Sequence, residues 1–125
     1  MPSKSDIENV VKAYVDRVAQ HDPEKVADLF APNATVEDPV GTELKADRQA
    51  IVDFFAVIAN MEETTTGLMW TAVAADTAVF QFKLRGASDG RGYQVTPIDI
   101  MTFDEDAKIL TMRAVWDPAT DVELF

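Results

Sequence analysis

The chain has no cysteine and one histidine, His21. Without cysteine there is no disulfide framework and no thiolate chemistry. A His-based metal site or a serine–histidine triad needs more partners than one histidine offers, so neither a metal nor another cofactor is expected. Cations are also scarce. Eleven Lys and Arg stand against 22 Asp and Glu, a formal net charge of −11. That balance repels nucleic-acid phosphates and anionic membrane surfaces, and it favours solubility. No apolar run is long enough to span a bilayer. The polar start, Met1 to Asp6, has no apolar h-region of a signal peptide. Repeats, low-complexity tracts and linkers are missing. The expectation is a soluble, cytoplasmic protein with neither nucleic acid nor membrane as partner.

What the chain does have is apolar residues, 47% of 125, enough for one domain over residues 1–125 with a real core. The first half reads as helical. Ser5 and Glu8 have capping-box spacing. Ile7, Val10, Val11, Tyr14 and Val18 then recur at helical intervals, predicting a helix from Asp6 to Gln20 with Tyr14 on its apolar face. Asp22-Pro23 caps a short helix carrying Val26, Leu29 and Phe30, and Pro32-Asn33 breaks it. Ala34 to Asp38 predicts a strand, and Asp47 caps a third helix with Ile51, Val52, Phe54, Phe55 and Ile58.

The second half reads as strands near Thr64–Val73, Ala78–Leu84, Tyr93–Phe103 and Ile109–Trp116. Their connections are too short for crossover helices, so an antiparallel meander is expected. Three helices followed by a curved sheet make an α+β plan with a cup for a small apolar ligand.

Three polar groups fall on apolar faces. Side chains alternate along a strand, so Asp99 shares a face with Val95, Pro97, Met101 and Phe103. An unpaired carboxylate there is costly to keep charged; its pKa should rise and the group should stay protonated, as a hydrogen-bond donor. Asp38 shares a face with Ala34 and Val36, while Glu37 faces solvent. Pro39 restricts the backbone of Asp38 to extended conformations, which suits a general base. Tyr14 is a phenol in search of an acceptor. One base and two donors in a greasy cup are a sensible set for enolisation beside a carbonyl. Each residue also has an ordinary structural explanation. An Asp before proline commonly turns the chain, and a helical Tyr commonly packs with its hydroxyl at the water. Asp99 has Arg113 of the next strand as a possible partner. Periodicity alone leaves both readings open.

The segment Ala34-Thr-Val-Glu-Asp-Pro-Val-Gly41 resembles the general-base segment of the bacterial Δ5-3-ketosteroid isomerases. Val10 to Val15 resembles their first helix with its oxyanion tyrosine. Thr96-Pro-Ile-Asp99 resembles the strand with their oxyanion aspartic acid, and Lys108 to Trp116 their final strand. The likeness is colinear from about residue 5 to 116. It implies a conical α+β barrel of the nuclear-transport-factor-2-like (NTF2-like, SnoaL-like) type, a homodimer, and conversion of 3-oxo-Δ5-steroids to 3-oxo-Δ4-steroids. Asp38 would be the base, with Tyr14 and protonated Asp99 as the oxyanion hole. Phe54, Phe82, Met101, Phe103, Met112 and Trp116 are the candidate substrate-binding wall, of which Phe54, Met112 and Trp116 match pocket positions of the family. Phe30 and Phe55 stand where some members carry supporting tyrosines; the only other tyrosine is Tyr93.

Other readings use the same cup. A non-catalytic carrier needs the cup but no base. Dehydratases and some cyclases tend to need a histidine or a different acid–base set, and His21 falls at the junction of the first two helices. Epoxide hydrolases of this type use an Asp-Arg-Asp set, for which Arg113 is the available arginine.

Overall fold

Ser3, not Ser5, starts the first helix. In the computed structural model, which describes all 125 residues, the elements run α1 (Lys4–Val18), α2 (Pro23–Ala27), β1 (Phe30–Glu37), α3 (Arg48–Ala59), β2 (Glu63–Ala74), β3 (Thr77–Ser88), β4 (Arg91–Val95), β5 (Ile98–Phe103), β6 (Ile109–Val115) and β7 (Glu123–Leu124). Ser3 Oγ accepts from the Asp6 amide at 3.0 Å, and Asp6 Oδ2 accepts from the Ser3 amide at 3.3 Å. That is the reciprocal capping box, two residues before the expected one and with the same spacing. Asp22 and Asp47 cap α2 and α3 as expected, accepting from Lys25 and Ala50 amides at 3.3 and 2.8 Å.

Helix α2 stops at Ala27, so Phe30 belongs to β1 rather than to the helix. Pro32 and Asn33 do not end an element. They lie exposed in β1, where its pairing with β6 shifts register between Phe30 and Thr35. An irregular stretch of strand is where the missing proline N–H is tolerated.

The sheet order is β1-β6-β5-β3-β4-β7, with β2 on the other edge of β3. The meander is present from β2 to β6, all antiparallel, but β1 joins β6 in parallel. The expected strand Tyr93–Phe103 is two strands. β3 pairs β5 through Thr77–Gln81 and β4 through Leu84–Ser88. The break falls at Thr96-Pro97, because proline offers the ladder no donor. The sheet curves around the helices but does not close into a barrel.

Helix α1 lays Ile7, Val11, Tyr14, Val15 and Val18 against the sheet, a stripe at helical spacing. On β5 the burial alternates: Asp99, Met101 and Phe103 are buried, while Ile98, Ile100 and Thr102 are half-buried.

Candidate active site

An open cavity of about 450 Å³ lies between α1, α3 and the sheet, and Tyr14, Asp38, Phe54, Phe82, Tyr93 and Trp116 are among its walls. Thirteen of its sixteen lining residues are hydrophobic, so a bound ligand there is largely desolvated. The volume falls in the ordinary range for small-molecule sites.

Asp38 is held from both sides of the chain. Its neighbour Glu37 turns the other way, accepting from Arg113 Nε at 3.0 Å and from the Gly41 amide at 2.9 Å. Gly41 has φ +98, a conformation that suits glycine. On the far side, the Val40 amide donates to the Ala114 carbonyl at 2.8 Å. The Asp38 carboxylate then faces the cavity, and Trp116 Nε1 donates to its Oδ1 at 2.8 Å. Burial raises the Asp38 pKa; the Trp116 hydrogen bond and the charge of Lys45 oppose that rise without cancelling it. Lys45 is tied to β1 by paired backbone hydrogen bonds with Val36, and its Nζ lies 4.8 Å from the centre of the Phe54 ring.

Tyr14 is buried in a nest of phenylalanines. Phe30, Phe55, Phe80 and Phe82 each meet its ring edge to face, with centroids 5.9 to 6.5 Å apart. This arrangement suits the aromatic quadrupoles and supplies no hydroxyl neighbour. Burial drives the Tyr14 pKa well above that of a free phenol, and the charges of Asp99 and Asp38 push it further. The phenol therefore keeps its proton at neutral pH.

Asp99 is 1% exposed, and neither carboxylate oxygen has a hydrogen-bond partner. Arg113, its possible mate on the next strand, is engaged by Glu37. Burial first, and the Asp38 charge second, raise the Asp99 pKa well above the usual carboxylate range. A buried polar group without a partner costs about 1–3 kcal/mol and calls for an explanation. Phe80 is the cross-strand neighbour of Asp99 and also packs on Tyr14.

The expected substrate wall divides in two. Phe54, Phe82 and Trp116 line the cavity. Met101, Phe103 and Met112, like Asp99, are buried and are not among the residues that line the open cavity. The reason is position along the strands. Pro97 lines the cavity, Asp99 comes next on the same face, and Met101 and Phe103 continue it beside Met112 and Ile109 in the core. Sequence reasoning treated Trp116 only as wall and missed its bond to Asp38. It also missed Lys45 and the wall position of Tyr93. An indole just beyond β6 and a lone lysine after Gly41 were the available signals. His21 is exposed, with Nδ1 3.0 Å from the Ala59 carbonyl oxygen, and is not a cavity residue.

Residues 11–112 match the SnoaL-like domain family. Over 114 residues the chain is 41% identical to the steroid delta-isomerase of Nocardioides simplex, covering 91% of this chain and 92% of that protein. The chain belongs to the steroid delta-isomerase family, within the SnoaL-like proteins. Its backbone also superposes on an epoxide hydrolase/cyclase-like enzyme, SalBIII, of pyran ring formation in salinomycin. The TM-score is 0.89 over 100% of both chains at 22% identity, a likeness of fold. The steroid delta-isomerase family and that cyclase-like enzyme thus share one α+β frame around a cup. Arg113, which the Asp-Arg-Asp set would need, points away from the cup into its pair with Glu37.

Proposed function

We propose that the protein isomerises 3-oxo-Δ5-steroids to their conjugated 3-oxo-Δ4 isomers by moving one proton through a dienolate. The observation that carries this reading is the pairing of two unlike aspartates. Asp38 lines an apolar cavity and accepts a hydrogen bond; Asp99 is buried behind the lining with no partner, within reach of the Asp38 charge. Ketosteroid isomerase is itself the type case of one charged and one neutral aspartate at a single site.

In this reading the ionised Asp38 takes the proton from C4, beside the C3 carbonyl, and the electrons move into a dienolate. Tyr14 and protonated Asp99 donate to the C3 oxygen, where the negative charge accumulates. The proton on Asp38 then returns at C6, shifting the double bond into conjugation. No group outside the chain is required for the balance of atoms or electrons. The apolar walls raise the strength of both hydrogen bonds by excluding water. The reading extends to a cytoplasmic homodimer, a state that light scattering of the purified protein measures directly.

The test is the absorbance of the conjugated enone formed from 5-androstene-3,17-dione. Enone formation that disappears in Asp38→Asn supports the reading. Binding of the steroid without enone formation would instead make the protein a carrier on the same fold.

A further inference from the structure

Tyr93 is the one polar wall residue that the proposed proton transfer leaves unused. It lies on β4, opposite Gly86 of β3 and Leu124 of β7. Gly86 is where its ring is seated. A Cβ placed there would come within 3.3 Å of Tyr93 Cε1 and 2.5 Å of the Met61 sulfur. The ring and the thioether therefore lie across bare backbone, as aromatic residues do over strand glycines. This seat fixes the ring and leaves the hydroxyl end free.

The phenol is half-buried in the cavity wall. Burial, and then the charge of Asp38, raise its pKa, with no hydrogen bond contributing. Its backbone position is also well separated along the sheet from that of Asp99. Asp99 is in register with Phe80 of β3, and Tyr93 with Gly86. Six residues of strand separate those two positions, or about 20 Å of backbone at ~3.3 Å each. A few well-placed polar groups in a greasy pocket are what set ligand orientation and specificity.

We propose that the Tyr93 hydroxyl is a positioning group that hydrogen-bonds a polar substituent at the far end of an elongated apolar ligand, so that the site favours steroids oxygenated at the end opposite the reacting ketone. The inference rests on the isomerase reading. Tyr93 takes no part in the proton transfer; it holds the ligand in register with Asp38 and Tyr14.

The experiment uses two unreactive ligands, 5α-androstane-3,17-dione and 5α-androstan-3-one, which differ only in the distal oxygen. Their affinities for wild type and Tyr93→Phe are measured by calorimetry. The variant keeps the ring over Gly86 and removes one hydroxyl. It should bind the dione roughly 3- to 10-fold more weakly, the effect of one neutral hydrogen bond, and bind the mono-ketone as wild type does. With 5-androstene-3,17-dione as substrate, KM should rise by a similar factor while kcat holds. Equal losses for both ligands would assign Tyr93 a purely structural role, and no loss for either would also overturn the proposal. If wild type binds neither ligand, the steroid reading fails, and this inference fails with it.

Discussion

The indole of Trp116 and the carboxylate of Asp38 form a single hydrogen bond, Nε1 to Oδ1 at 2.8 Å, at the edge of an apolar cavity. As the proposed base, Asp38 in such a place faces two opposed demands. Burial discourages the charge it needs, and an over-stabilised charge would make it a weak base. The indole N–H offsets part of the burial, and Lys45 offsets a further part.

Removing the indole N–H should expose that balance. In Trp116→Phe the Asp38 pKa should rise, because burial is then opposed by Lys45 alone. The acidic limb of the pH profile of kcat/KM should move to higher pH. Activity on that limb should fall by about tenfold, the low end for a hydrogen bond to a charged group. An acidic limb that stays in place would show that the bond does not tune the base.

Asp38→Asn keeps the shape of the side chain and cannot accept a proton. Turnover should fall by about 10²–10⁴-fold or more, while a phenolic steroid that mimics the dienolate still binds. Enone formation at a comparable rate in wild type and variant would move the base elsewhere.

Tyr14→Phe removes one donor from a site whose ring packing is otherwise aromatic on every side. Turnover should drop by roughly 10²–10³-fold. The phenylalanine nest should keep the variant folded, as a thermal melt will record. Near-normal turnover would remove Tyr14 from the oxyanion hole.

In the proposed mechanism Asp99 would couple function to folding. Its pKa is raised in the folded state, first by burial and then by Asp38. In the unfolded chain it titrates near the ordinary value, about 3.9. Above that pH the folded protein holds one proton more than the unfolded chain, so stability falls as pH rises toward the folded-state pKa. Asp99→Leu lacks the group. Wild type should therefore lose stability relative to this variant as pH rises from about 4, while the variant loses roughly 10²–10³-fold in turnover. Paired urea unfolding curves across pH measure the difference; parallel curves would mean that Asp99 ionises normally.

Arg113 gives the contrasting case. Its pair with Glu37 is exposed on the arginine side and lies outside the cavity. Exposed ion pairs contribute little to stability. Arg113→Ala should leave enone formation close to wild type, and a large loss of turnover would favour a mechanism that uses the arginine.

Legibility differed with the range of the interactions. Asp22 and Asp47 mark their helices by a local cap, and both starts were readable from the chain. For the first helix the Ser5–Glu8 pattern pointed two residues too late, because the box that forms, Ser3–Asp6, carries Asp where the usual pattern has Glu or Gln. The inward turn of Asp38 and Asp99 followed from alternation along single strands. Their partners did not, because a partner depends on register between strands far apart in sequence. Arg113 lies opposite Glu37 on β6, so it meets the outward acid rather than Asp99. The depth of Met101, Phe103 and Met112 was hidden for the same reason: alternation gives the face of a residue, not its height in the cup. The parallel pairing of β1 with β6 joins residues some 75 positions apart, as in Glu37 with Arg113 (113 minus 37 is 76), and no local signal announces it.

The chain contains two tyrosines, and both Tyr14 and Tyr93 stand in the cavity wall. A label confined to tyrosine therefore reports on this site and nowhere else. Protein made with a fluorinated tyrosine would show two ¹⁹F resonances, one from each of these wall positions. A single titration with a ligand would then read its contacts at the two positions separately, by which resonance moves first and how far.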